Sequence, residues 1–148
     1  MPTFTKLQVK EISEQLDCGF QAFYHKQMGS LIFVPDTNRH LEMDTSTWSD
    51  ELAQLKKYFQ DYQEIYPMDT SDSFKVMTDF IQQLDDTILQ SRLVEAVNRK
   101  KPFREFKFVI DNSGVNRQHW FDFKNKRYFE WTHDQLKING EFDKNATH

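Results

Sequence analysis

Lys101, Arg104, Lys107, Arg117, Lys124 and Arg127 share the last third of the chain with Trp120 and Tyr128, beginning at "KKPFREFKF". Cations of this kind hold phosphates or carboxylates, and rings beside them stack on bases or seat apolar groups. On a helix, Arg117, Lys124 and Arg127 fall within the broad arc that also holds Trp120, Tyr128 and Trp131, so that cations and rings form one mixed surface. The same residues allow a second arrangement. The rings enter the core, and the long basic side chains lie over them with their heads in water, facing the acidic remainder of the molecule. Charge is divided accordingly: from Arg99 to Lys137 there are ten Lys or Arg against five Asp or Glu, and elsewhere nine against eighteen, within a net charge of -4.

Other chemistry is poorly supplied. His25, His40, His119, His133 and His148 include no pair at i, i+3 or i+4, the helical spacing of metal ligands. His40 with Glu42 and Asp44 is the nearest approach to an imidazole and carboxylate cluster, in a segment that reads as a solvated loop. Cys18 carries none of the local signatures of a nucleophile, and beside Gly19 at a helix end it is expected to be a small buried apolar residue. Asp85 and Asp86 stand between two periodic segments, which makes them turn formers and caps rather than an acid/base pair. The four glycines are scattered and make no phosphate-binding turn. No catalytic residue, metal ligand or cofactor is therefore nominated.

The elements that must position these side chains follow from composition and period. A chain of 148 residues favours one domain, and 38% hydrophobic content is concentrated in fourteen Phe, five Tyr and three Trp. Four Gly and four Pro leave little room for long loops and favour helix. The single cysteine precludes an internal disulfide and fits a reducing compartment. "MPTFTKLQVKE" has no apolar signal core and no run approaches the roughly 18 apolar residues of a membrane span. A soluble cytoplasmic protein is expected.

Val9, Ile12 and Leu16 after Thr5 predict a helix over 6–16, which Gly19 ends. Phe20 to His25 and Leu31 to Val34, around Gly29, predict a β-hairpin closed by Pro35 and Asp36. Trp48, Leu52, Leu55 and Phe59 mark a second helix, and "YQEIYPMD" reads as extended before Pro67, a candidate third strand. Phe74, Met77, Ile81 and Leu84 follow Ser71 and Asp72 as cap, and Leu89, Leu93, Ala96 and Val97 follow Asp85 and Asp86. Pro102 opens a helix that turns Phe103, Phe106 and Ile110 inward and Arg104 and Lys107 outward, ending near Gly114. The aromatic stretch after Asn116 fits a helix or a hairpin by period. Lack of a favoured two-residue turn selects the helix. Beyond Lys137 the polar residues predict a tail. The expected fold is α+β: a helix-rich single domain over 1–140, with a small antiparallel sheet built on the N-terminal hairpin, a C-terminal set of four helices, and a flexible tail over 141–148.

The hairpin ending "IFVPD", the entry "PMDTSDSFKVMTDFI", the helix start "KPFREFK", and the helix with "HWFDF" and "EW" together resemble uncharacterised protein family 0158, small bacterial proteins. The resemblance covers Gly19 to Leu136. It implies helix rather than hairpin for Asn116 to Lys137 and brings no catalytic residues. At Glu105 the chain departs from the second basic residue expected after Arg104, which lowers the charge of that segment.

Two functional expectations follow. One is a non-enzymatic protein-interaction or regulatory module, using the aromatic helix or the outer face of the hairpin, where Phe23 and His25 point opposite to Phe20, Ala22 and Tyr24. The other is nucleic-acid binding through Lys100 and the cations named first. Composition and pattern supply neither the partner nor the oligomeric state.

Overall fold

A computed structural model describes residues 2–38 and 44–146, with side chains as far as 139. Within it the chain forms two compact units, Met1–Pro67 with Tyr128–His148, and Met68–Arg127. The architecture is α+β. Helices predominate, and the strands form one three-stranded antiparallel sheet in the order β2-β1-β3.

In the first unit, α1 (Lys6–Asp17) begins with a reciprocal pair of bonds. The Thr5 hydroxyl accepts from Gln8 N–H at 3.2 Å while Gln8 Oε1 accepts from Thr5 N–H at 2.9 Å. Both donors would otherwise be left open at the helix end. Val9, Ile12 and Leu16 are buried, as their spacing requires. Cys18, at the C-terminal end of α1, is exposed rather than buried. Two residues beyond Leu16 is about 200° round the helix, which turns the thiol away from the buried stripe.

Gly19, at φ 89°, swings the chain into β1 (Phe20–His25), which pairs antiparallel with β2 (Leu31–Pro35). Gly29 closes the turn at φ 74°, a left-handed conformation natural to glycine. β3 (Tyr62–Ile65) adds to the other side of β1, placing Ile65 beside Ala22. Ala22, Tyr24 and Ile65 are buried where α1 packs on β1. The second helix, α2 (Ser49–Lys57), is shorter than its apolar pattern predicts. Trp48 ends a 3-10 turn before it and Phe59 begins another after it. The break falls at Tyr58, whose φ of -119° and ψ of 30° leave the helical region as the chain heads into β3.

The second unit holds α3 (Thr70–Gln82), α4 (Thr87–Val97), α5 (Pro102–Asp111) and the first part of α6 (Val115–Ala146). The cap of α3 is Asp69, whose carboxylate accepts Asp72 N–H at 2.8 Å, and not Ser71 or Asp72. Several residues in "DTSD" have good capping chemistry. Helical geometry starts at the earliest one free to take extended backbone, here ψ 178° at Asp69. Asp86 caps α4 as its position predicts, accepting Leu89 N–H at 3.0 Å. Pro102 opens α5, and Gly114 at φ 66° separates it from α6.

Phe80 is the hub of this unit's core, with Phe106, Trp120 and Phe123 at edge-to-face centroid distances of 6.5, 5.2 and 5.4 Å. Val76, Met77, Ile81, Leu89, Leu93, Ala96, Val109 and Ile110 complete it. α6 is helical, as the aromatic pattern and the resemblance imply, and it continues past Lys137 to Ala146. No proline interrupts that stretch, and a single glycine inside a helix costs only about 1 kcal/mol. Among the described residues no helix is long and apolar enough to cross a membrane.

Candidate functional site

The buried stripe of α5 is Phe106, Val109 and Ile110. At 100° per residue this leaves Arg104, Lys107, Phe108 and Asp111 on the outer arc, with Phe103 at its edge. Phe108 is 67% exposed and Phe103 is 40% exposed. Phe103 is thus not an inward residue. It leans edge-on against Phe74 at 6.4 Å but keeps much of its ring in water. Lys101, at the position preceding α5, Arg104 and Lys107 are all exposed.

The rings expected to flank these cations take a different place. Trp120 is 8% exposed, packed against Phe106 at 4.7 Å, and Tyr128 is 7% exposed. Neither offers a face to a ligand, so the mixed surface predicted along α6 does not form around them. Both lie on the buried side of α6, where burying a large ring gains about 1.5–3 kcal/mol.

The α6 cations settle on other rings and on nearby carboxylates. Arg117 and Lys124 both approach the half-buried ring of Phe121, at 4.6 and 5.4 Å from its centroid. Arg117 also donates to Asp111 at 3.2 Å. Arg127 lies 5.7 Å from the Phe123 centroid and donates to Asp79 at 2.9 Å. Lys75 reaches the same carboxylate at 3.0 Å, and these two hydrogen bonds hold Asp79 below the usual carboxylate range. At the corner between α4 and α5, Arg99 bonds Glu95 at 2.8 Å and Glu105 at 3.3 Å, and Arg104 bonds Glu105 at 3.3 Å. Glu105, which lowers the charge of this segment in sequence, is the carboxylate that joins two arginines in space.

Of the sequence-predicted residues, then, Arg117 and Lys124 are brought together on Phe121. Arg127 goes to α3, Trp120 and Tyr128 go into cores, and Lys101, Arg104 and Lys107 stay in solvent. The residues that sequence reasoning missed are Phe108 and the carboxylate partners. Phe108 was discoverable, since a helical wheel sets it on the arc of Arg104 and opposite Phe106.

The hairpin offers less. Phe23 and His25 are half-buried, and His25 Nδ1 accepts the N–H groups of Gln27 and Met28 at 3.2 and 3.1 Å, which makes it part of the turn. The end of the β3 edge is closed. Gln135 accepts Tyr66 N–H at 2.9 Å and donates to Tyr66 C=O at 2.7 Å, imitating a pairing strand, and Trp131 Nε1 donates to the same carbonyl at 2.9 Å. Beside it, burial pushes the Glu64 carboxyl up, a hydrogen bond with Gln21 opposes this, and nearby Asp36 adds to the rise. His40 and Glu42 of the candidate cluster lie outside the described residues, while Asp44 accepts Ser46 N–H at 2.9 Å. Among the described residues no group of three or more His, Cys, Asp or Glu is placed to hold a metal ion.

The chain thus has an α+β fold with a three-stranded sheet, four helices after it and an exposed basic-aromatic face on α5. By its match to the family model over residues 4–146, it belongs to UPF0158, an uncharacterised protein family. It is similar to UPF0158 protein PA5073 of Pseudomonas aeruginosa, with 31% identity over 75 residues, 51% of this chain and 49% of that protein. The matched region thus spans about half the length of that curated relative. No solved structure matches the chain.

Proposed function

We propose that this protein is a cytoplasmic, non-enzymatic protein-interaction or regulatory module of a bacterial cell, and that it binds its partner through the outer face of α5. One observation carries the reading: Phe108 is 67% exposed on a helix face whose neighbours are Lys101, Arg104 and Lys107. Exposed rings among basic side chains are the ordinary composition of a docking patch. Base stacking is less well served. A single-strand binder needs rings with free faces along its cationic track, whereas Trp120 and Tyr128 are buried and Phe121 is attended by two cations.

The reading is tested by NMR titration of the protein with an acidic amphipathic helical peptide and, separately, with a short single-stranded oligonucleotide. Expected are amide shifts concentrated in Phe103 to Asp111 on adding peptide, abolished in Phe108→Ser with the fold intact. Shifts confined to the hairpin, or a stronger response to the oligonucleotide, overturn it.

A further inference from the structure

Resting on that reading, we propose that Glu105 is a built-in competitor for the partner: it occupies Arg99 and Arg104 in the free protein and yields them to a carboxylate of an acidic, amphipathic partner segment. Both Glu105 bonds are 3.3 Å, long against the roughly 2.7–2.9 Å of firm charge-assisted bonds, while Arg99 holds Glu95 at 2.8 Å. Glu105 is therefore the weaker of two claimants on Arg99 and holds Arg104 by a long bond. They are within reach of a ligand, since the Arg99 side chain is 52% and that of Arg104 69% exposed.

Charge complementarity selects the occupant. From Glu95 to Asp111 the chain carries Arg99, Lys100, Lys101, Arg104 and Lys107 against Glu95, Glu105 and Asp111, a surplus of two positive charges. Among the described residues no carboxylate pairs with Lys100, Lys101 or Lys107. Phe103 and Phe108 on either side of the cations supply an apolar seat. A helix with carboxylates three or four residues apart and apolar residues between them matches this spacing. A nucleic-acid backbone fits less well, because its closely spaced phosphates would run across Glu95, Glu105 and Asp111.

The test is fluorescence anisotropy with a labelled synthetic helical peptide carrying Glu and Leu at three- and four-residue spacing, added to the full chain. Glu105→Gln and Glu105→Ala are each expected to tighten binding by about two- to fivefold, the scale of releasing exposed ion pairs. Asp85→Asn, which removes the same charge from an exposed position before α4, at the opposite end of that helix from Arg99, is expected to change it by less than about 1.5-fold, since a change in net field alone is screened. Equal effects at positions 105 and 85, or weaker binding in both Glu105 variants, overturn the competitor role while peptide binding at α5 stands. Binding that Phe108→Ser leaves unchanged, or a preference for a single-stranded oligonucleotide over the peptide, overturns the docking reading itself.

Discussion

Truncating Trp120 should cost several times more stability than truncating Phe108, because one ring is core and the other surface. Trp120 is 8% exposed and meets Phe80 at 5.2 Å and Phe106 at 4.7 Å. Trp120→Ala removes the ring and leaves a cavity that neighbouring Phe side chains only partly fill, a loss of about 3–5 kcal/mol. For a chain of this length each kcal/mol lowers Tm by about 2–4 °C, so the drop is roughly 6–20 °C. Phe108 is 67% exposed, so about a third of its ring is withdrawn from water. Set against about 1.5–3 kcal/mol for full burial, Phe108→Ser costs about 0.5–1 kcal/mol. Urea denaturation followed by far-ultraviolet circular dichroism, with Trp120→Phe as the ring-preserving control, measures all three. A cost below about 1.5 kcal/mol for Trp120→Ala would refute the placement of that ring in the core, and with it the case against base stacking. A Phe108→Ser loss equal to that of Trp120→Ala would remove the exposed ring on which the docking reading stands.

Asp79 links Lys75 and Arg127, and its folded-state pKa lies below the unfolded value of about 3.9. Its contribution is therefore complete above that value and lost as pH falls through the folded-state value. Because the Asp79 side chain keeps 26% exposure and Arg127 30%, Asp79→Asn should cost about 0.5–1 kcal/mol at pH 7 and progressively less as pH falls below the unfolded value, read as Tm against pH. A pH-independent loss would show that the carboxylate acts by packing alone. Gly114→Ala meets no atom within 4 Å but forces a side chain into φ 66°, and should cost about 1–2 kcal/mol. Gly29→Ala has the same kind of strain at φ 74° and also sets a Cβ 2.9 Å from Pro2 Cβ, so it should cost about 1 kcal/mol more than Gly114→Ala, read as a lower urea midpoint. Equal midpoints would mean that Pro2 moves aside freely.

Much of the fold was legible because its signals are local. Thr5 and Gln8 make a cap within four residues, Gly29 and the alternating runs around it make a hairpin, and Asp86, Pro102 and Gly114 punctuate the C-terminal helices. The errors lie where a local signal was ambiguous or where burial depends on distant residues. "DTSD" contains several equally good caps, and Phe103 sits at the margin of its helix stripe, where its exposure depends on packing with residues distant in sequence such as Phe74. Cys18 is apolar in character, but its angle to Leu16 on the helix sets it in solvent.

The candidate surface shows the division most clearly. The sequence by itself determined which side chains could serve it, the charge surplus after Arg99, and a helical period that puts Arg104 and Phe108 on one arc. Only the tertiary structure decided that Trp120 and Tyr128 are core, that Arg127 reaches Asp79 on another helix, and that Glu105 joins Arg99 to Arg104. The physical reason is one of range. Helical period and capping act over three or four residues, whereas the burial of a ring or the partner of a guanidinium depends on which helices pack together, and the chain encodes that only through all of its contacts at once.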